Sequence, residues 1–211
     1  QRTLSDAGFQ KNRVKLKIVE RQVGFARDII EEARDGYDMV VIGRKGTSDL
    51  GPAAFGGVTF KLIQKLDFLP MLLVGKVPAG KKALLAIDGS VCATSTLHSV
   101  GTWLVESGFE VTLINVIRAR GPEEFIQIAS KWGKEIVKVA EDGFTGKKVA
   151  TKIVSGQRSR AEAILHEADQ GNFGTIAVGR KGLSDVKIFY TGRVCHKIVQ
   201  SARKQAIWIG T

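Results

Sequence analysis

The sequence predicts an α/β protein: an open, mostly parallel five-stranded sheet with helices on both faces, Rossmann-like, preceded by an incomplete copy of the same unit. Three observations carry this. From residue 82 onward, apolar runs of strand length alternate with segments of helical period, the pattern of successive β-α-β crossovers. Glycine is abundant, at 24 of 211 residues, and proline is sparse, at 4; without a Gly-X-Y period this points to tight strand–helix turns. The chain also repeats itself. Gly43-Arg44-Lys45-Gly46-Thr47-Ser48-Asp49 returns as Gly179-Arg180-Lys181-Gly182-Leu183-Ser184-Asp185, an offset of 136 residues.

The elements of the complete copy follow in order. Residues 82–88 (KALLAID) form an apolar run closed by Asp88-Gly89-Ser90, a buried strand ending in a turn. Ser90 is of the type that caps the next helix. Over 91–106, Leu97, Val100, Leu104 and Val105 recur at helical spacing. Residues 110–117 (EVTLINVI) read as a second strand. Residues 122–140 read as a helix with Phe125, Ile128, Ala129, Trp132, Ile136 and Val139 on one face. A third strand is expected at 149–154, a helix at 160–168, a short buried strand at 175–178, a helix at 194–202 and a last strand at 206–209. Trp103, Trp132 and Trp208 sit in apolar runs and read as core.

Upstream of the glycine segment the match holds at an offset of 135: Lys17-Ile18-Val19 meets Lys152-Ile153-Val154, and Glu32-Ala33 meets Glu167-Ala168. A period this long is that of a small domain, not of a solenoid. The expected organisation is therefore the second half of one unit at 1–77 and a complete unit at 80–211. The same offset leads to the expectation of a longer native chain, extended by about 55 residues ahead of Gln1. The strands from Met71 to Val74 and from Ala206 to Ile209 are expected to lie near a pseudo-twofold axis, hiding their edges, and to offer a route to self-association.

Charge narrows the partners. Lys and Arg total 32 against 21 Asp and Glu, a net charge of +11, spread along the chain. Such a surface favours anionic partners. Aromatics are sparse and no nucleic-acid motif is present, which argues against a nucleic-acid binder. Cys92 and Cys195 lie 103 residues apart without metal-like spacing, which fits a reduced, cytoplasmic setting. His98, His166 and His196 show no metal motif. The longest apolar run is far short of a bilayer span.

The chemistry-bearing pattern is Gly179-x2-Gly182-x9-Gly192 with Val194 behind it, and its earlier copy, Gly43-x2-Gly46-x9-Gly56 with Val58 behind it. Glycines let a backbone approach an anion closely, and the last one opens a helix whose free N–H groups attract phosphate. Neither a Walker loop nor a dinucleotide fingerprint is present.

These motifs, with the Asp-Gly-Ser turn, resemble the universal stress protein family, in a tandem form and with the adenine-nucleotide alpha-hydrolase-like fold. The resemblance implies ATP or another adenine nucleotide as ligand, with Mg only alongside it. It places Asp88 on adenine and Val116 in the base pocket, with Gly179, Gly182 and Gly192 around ribose and phosphates. Gly89, Ser90, Gly156, Arg180, Arg193 and Val194 join the expected site, as do Gly43, Gly46, Gly56 and Gly57 in the earlier copy. Both copies depart from the family pattern at the last position, where Gly57 and Arg193 replace a Ser or Thr. Arg193 either supplies a cation for phosphate or fills the phosphate site. No catalytic constellation is visible. The expected function is a non-catalytic stress or regulatory protein responding to adenine nucleotide; the alternative is an interaction module that has lost nucleotide binding.

Overall fold

A computed structural model describes residues 4, 6–44, 56–75, 80–118, 121–144, 149–156, 158–183 and 191–211. Their strands are β1 (Val40–Gly43), β2 (Met71–Val74), β3 (Lys82–Ala86), β4 (Glu110–Arg118), β5 (Ala150–Gly156), β6 (Thr175–Gly179) and β7 (Ala206–Gly210). The helices are α1 (Phe25–Glu32), α2 (Gly57–Lys65), α3 (Val91–Thr96), α4 (Thr102–Glu106), α5 (Glu123–Asp142), α6 (Arg160–Gln170) and α7 (Arg193–Ser201). A π-helical turn, Leu97–Gly101, joins α3 to α4.

One seven-stranded sheet runs in the order β1-β2-β7-β6-β3-β4-β5. The five strands expected from residue 82 onward are its β7-β6-β3-β4-β5 portion, all parallel. The sheet continues through an antiparallel seam between β7 and β2 into β1. Thus the last strands meet as the repeat suggested, within one chain.

The seam has the symmetry of the repeat. Leu72 lies opposite Trp208, 136 residues further on, the offset that relates Gly43 to Gly179. Val40 sits beside Met71 in β1–β2, and Ile176 beside Ile207 in β6–β7, each member again displaced by 136. Helix α2 likewise maps onto α7 end to end. The ion pair Lys17–Glu32 recurs as Lys152–Glu167.

Two apolar layers cover the sheet. On one face α1, α2, α6 and α7 pack through Ile30, Leu62, Ile164 and Ile198 onto Leu73, Leu84, Ile176 and Ile207. On the other, Leu97, Val100, Leu104 and Val137 cover Leu85, Leu113, Ala177 and Trp208. Burial of such side chains contributes about 1.5–3 kcal/mol each.

One expectation is corrected. Phe125, Ile128, Ala129, Trp132, Ile136 and Val139 do share one face of α5, but Trp132, expected in the core, is exposed with Phe125, Ile128 and Val139, and Gly133, Val137 and Ala140 face the sheet. The cause is close packing. A Cβ on Gly133 would come within 2.9 Å of both Asn115 Oδ1 and Ile117 Cδ1, so the helix lies down on β4 at its smallest residue and its bulky row swings outward. Trp132 is therefore surface, whereas Trp208 is buried and packs 6.0 Å from Trp103 between ring centroids.

The repeat also breaks down locally. Residues 15–21, which match β5 in sequence, form no strand and are exposed. β5 is held by β4, from Thr112–Ala150 to Arg118–Gly156; among the described residues no strand lies beside 15–21. For the same reason Val41 of β1 is 59% exposed while its counterpart Ala177, flanked by β3 and β7, is 1% exposed.

Candidate functional site

The order β7-β6-β3-β4-β5 reverses between β3 and β6: the chain runs outward from β3 through β4 and β5, then returns to the other side of β3. Crevices at such reversals, beyond the carboxyl ends of the strands, are where open α/β sheets bind ligands. The two motifs singled out from sequence meet there. Asp88-Gly89-Ser90 follows β3, and Gly179-Arg180-Lys181-Gly182 leaves β6.

Their contacts are tight. The Ser90 N–H donates to Asp88 Oδ1 at 3.0 Å. Ser90 Oγ donates to the Lys181 carbonyl at 3.3 Å and accepts from the Ala93 N–H at 3.2 Å. Ser90 therefore both caps α3 and ties the β3 turn to the β6 loop. A Cβ on Gly182 would stand 2.7 Å from Asp88 Oδ2, and one on Gly179 would stand 2.8 Å from the Ala93 nitrogen. Gly89 has φ of +79°, a conformation that side-chain-bearing residues rarely adopt.

Gly192 precedes α7, and its N–H donates to the Arg180 carbonyl at 2.7 Å, pulling the loop against the helix start. The N-cap of α7 is Gly192, which brings no side-chain acceptor; a helix start of this kind presents its first-turn N–H groups and dipole to an anion. Arg193 opens the helix and is exposed, with half-buried Val194 behind it. Lys181 and Gly182 are exposed at the rim. The loop is thus lined by backbone, with cations at its edge, which fits the phosphates of a nucleotide.

Val116 and Gly156 lie one and two strands further along. With Val154, Ser155, Arg158, Ala163, His166 and Glu167 they line a cavity of about 360 Å³ between the ends of β4 and β5 and α6. The sequence did not single out Arg158, His166 and Glu167 for this cavity; the place of Arg158 just after the third strand, and the helical return of 163, 166 and 167, were the available signals. Arg160 Nε donates to the Val116 carbonyl at 3.4 Å, so the Val116 backbone already has a protein partner.

Arg180 departs from its expected place among the ligand residues. It is buried, and its guanidinium donates to the carbonyls of Ile63, at 2.6 Å, and Leu66, at the carboxyl end of α2. Burial lowers its pKa from the ordinary arginine value. The cation serves the seam between repeats and not the crevice.

In the earlier copy, Gly56 repeats the Gly192 contact, donating to the Arg44 carbonyl at 3.4 Å. Thr59 Oγ1 donates to the Gly43 carbonyl at 3.0 Å. A Cβ on Gly57 would meet nothing within 4 Å. Gly46 lies outside the described residues. Among the described residues no three His, Cys, Asp or Glu side chains gather into a metal-binding group, and no helix is long and apolar enough to cross a membrane.

Comparison with known proteins agrees with this fold. Residues 80–207 match the family model for the universal stress protein family. Universal stress protein YxiE of Bacillus subtilis is 27% identical over 135 residues, covering 56% of this chain and 91% of that protein. A universal stress protein from Archaeoglobus fulgidus superposes with a TM-score of 0.63 at 18% identity, over 88% of this chain and 66% of that one, so this chain spans just under two thirds of its length. A universal stress protein in complex with cAMP superposes with a TM-score of 0.51 at 17% identity, over 62% of this chain and 97% of that one. With β3, β6 and the glycine loop all inside the matched span, the chain belongs to the universal stress protein family.

Proposed function

We propose that this protein is a non-catalytic regulator that senses an adenine nucleotide in the crevice between β3 and β6. Residues 80–211 form one complete unit and 1–77 the latter half of a second, in the tandem arrangement of the family. The observation that carries the reading is the convergence of Asp88 on Gly182 at the point where strand order reverses. Phosphates lie over Gly182 and the start of α7, with Lys181 and Arg193 supplying charge-assisted bonds. Asp88 and the Val116–Gly156 cavity take the base. The cAMP-bound structural relative points to the same ligand class. Bound nucleotide biases the chain between conformations by its differential affinity for them.

Titration calorimetry with ATP, ADP, AMP and cAMP tests this. Saturable binding, abolished by Gly182→Val, is expected; absence of saturation below about millimolar, −4 kcal/mol in binding free energy, sinks the sensor reading. A second reading is an interaction module without ligand. Arg193 at the opening position of α7, where the family carries a hydroxyl, and the Arg160 bond to the Val116 carbonyl favour it. Binding gained in Arg193→Ser supports that reading.

A further inference from the structure

The outward face of α5 carries an apolar row that the fold leaves in water. Phe125, Ile128, Trp132 and Val139 are 65, 56, 69 and 71% exposed. At 3.6 residues per turn they fall within a sector of about 60°, bordered by half-buried Ile136. The row is pinned outward, because Gly133, Val137 and Ala140 occupy the face against the sheet. Contiguous exposed rows of large apolar side chains mark interaction sites.

The spacing indicates what covers it. About Trp132 the row is symmetric: Phe125 stands seven residues before and Val139 seven after, Ile128 four before and Ile136 four after. An antiparallel second copy centred on Trp132 therefore sets Phe125 against the partner's Val139 and the two Trp132 rings against each other, with Ile128 over the edge of the partner's Ile136, whose inner side packs on the core and on Gly89. This is the self-complementarity a twofold interface requires, at the shallow crossing that heptad-like spacing favours. The charged flank agrees. It carries Glu124, Lys131, Glu135 and Lys138 in alternating sign, so the same superposition brings Glu124 near the partner's Lys138 and Lys131 near the partner's Glu135. An anionic membrane would instead favour a uniformly basic flank. We propose that α5 is a homodimerisation helix, docking antiparallel onto α5 of a second copy of this chain about Trp132. The surface lies on the α3–α5 face of the sheet, opposite α7, and among the described residues meets the crevice only where Ile136 packs on Gly89.

Sedimentation equilibrium on the full chain tests it. A monomer–dimer equilibrium on the order of micromolar is expected for a single helix pair. Trp132→Lys weakens it by roughly tenfold or more, as truncation of a central aromatic does, with unchanged far-ultraviolet circular dichroism. Glu124→Lys weakens it, and adding Lys138→Glu restores it. Trp132→Cys in a Cys92→Ser background forms an interchain disulfide on mild oxidation, a readout that holds even where Trp132→Lys fails to fold. A chain monomeric at all concentrations overturns the proposal. So does association that survives Trp132→Lys, or a Trp132→Cys variant that associates without cross-linking, because the contact then lies elsewhere.

Discussion

Arg44 and Arg180 cross the β2–β7 seam in opposite directions and end on equivalent carbonyls. Arg180 donates to Ile63 at 2.6 Å and Arg44 to Val199 at 2.8 Å; Ile63 and Val199, like the two arginines, are 136 residues apart. Each cation sits near the carboxyl end of the other repeat's helix, where helix dipoles favour positive charge. Both are buried, and burial lowers both pKa values.

Removing one of these arginines leaves buried helix carbonyls without their charged donor. Hydrogen bonds to charged groups contribute about 1.5–3 kcal/mol each. With two such bonds, partly offset because the cation no longer has to be desolvated, Arg180→Ala is expected to destabilise the chain by about 2–4 kcal/mol, read as a lower urea midpoint. Arg180→Lys cannot span two carbonyls with a planar fork and is expected to recover less than half of the loss. Wild-type stability in Arg180→Ala would show that the seam does not rely on the contact.

The glycines at the crevice separate stability from ligand binding. Gly179→Ala drives a Cβ into backbone, 2.8 Å from the Ala93 nitrogen, and is expected to cost about 1–3 kcal/mol. Gly182→Ala meets only the end of the Asp88 side chain, at 2.7 Å. It is expected to change thermal stability little while weakening nucleotide binding. Paired calorimetric and melting measurements distinguish the two variants; equal effects on stability would contradict the packing described.

The two cysteines differ in reach. Cys195 is 1% exposed, and burial pushes its thiol up to about 12, so little thiolate forms at neutral pH. Cys92 is half-buried. In the native state a thiol reagent such as DTNB should label Cys92 first, and Cys195 only on unfolding. Equal labelling rates would show that α7 opens locally.

The start of α6 should stabilise the chain in a pH-dependent way. Ser159 and Glu162 form a reciprocal capping box. The Ser159 side chain and then its backbone N–H hold the Glu162 carboxyl below its ordinary pKa. A depressed acid contributes stability that is present above its unfolded pKa and lost as pH falls through the folded one. Thermal midpoints of Glu162→Gln and wild type should thus differ near neutrality and converge in acid. Ser159→Ala is expected to cost about 1 kcal/mol.

Residues 15–21 and 150–156 provide a direct comparison of like sequence in unlike surroundings. β5 is hydrogen-bonded to β4 along its length, whereas the earlier segment forms no strand. Amide exchange should be slow in β5 and fast in 15–21. Protection of 15–21 in the chain alone would contradict this difference.

Much of the fold was legible because local pattern and global role coincide. The runs KALLAID and EVTLINVI are buried on both faces, so they read directly as β3 and β4. Gly89 and Gly179 were legible as glycines that the local backbone requires, the first by its positive φ and the second by its approach to the Ala93 nitrogen. Arg180 was not legible. Its motif position suggests an anion, and only the path of α2 across the seam supplies the carbonyls that take it. Trp132 was not legible as a surface residue because periodicity locates an apolar row without saying which way it turns; Gly133 against Asn115 and Ile117 decides that.

By itself the sequence determined the family, the alternation of strands and helices, and the repeat that sets the register of the seam, since these follow from short-range spacing and from like segments folding alike. Tertiary structure decided the rest. It made β5 a strand and left residues 15–21 bare, because a strand needs a neighbour to satisfy its backbone. It turned Arg44 and Arg180 into reciprocal ties between repeats, and it left the α5 row in water, because those outcomes depend on what lies across the sheet and not along the chain.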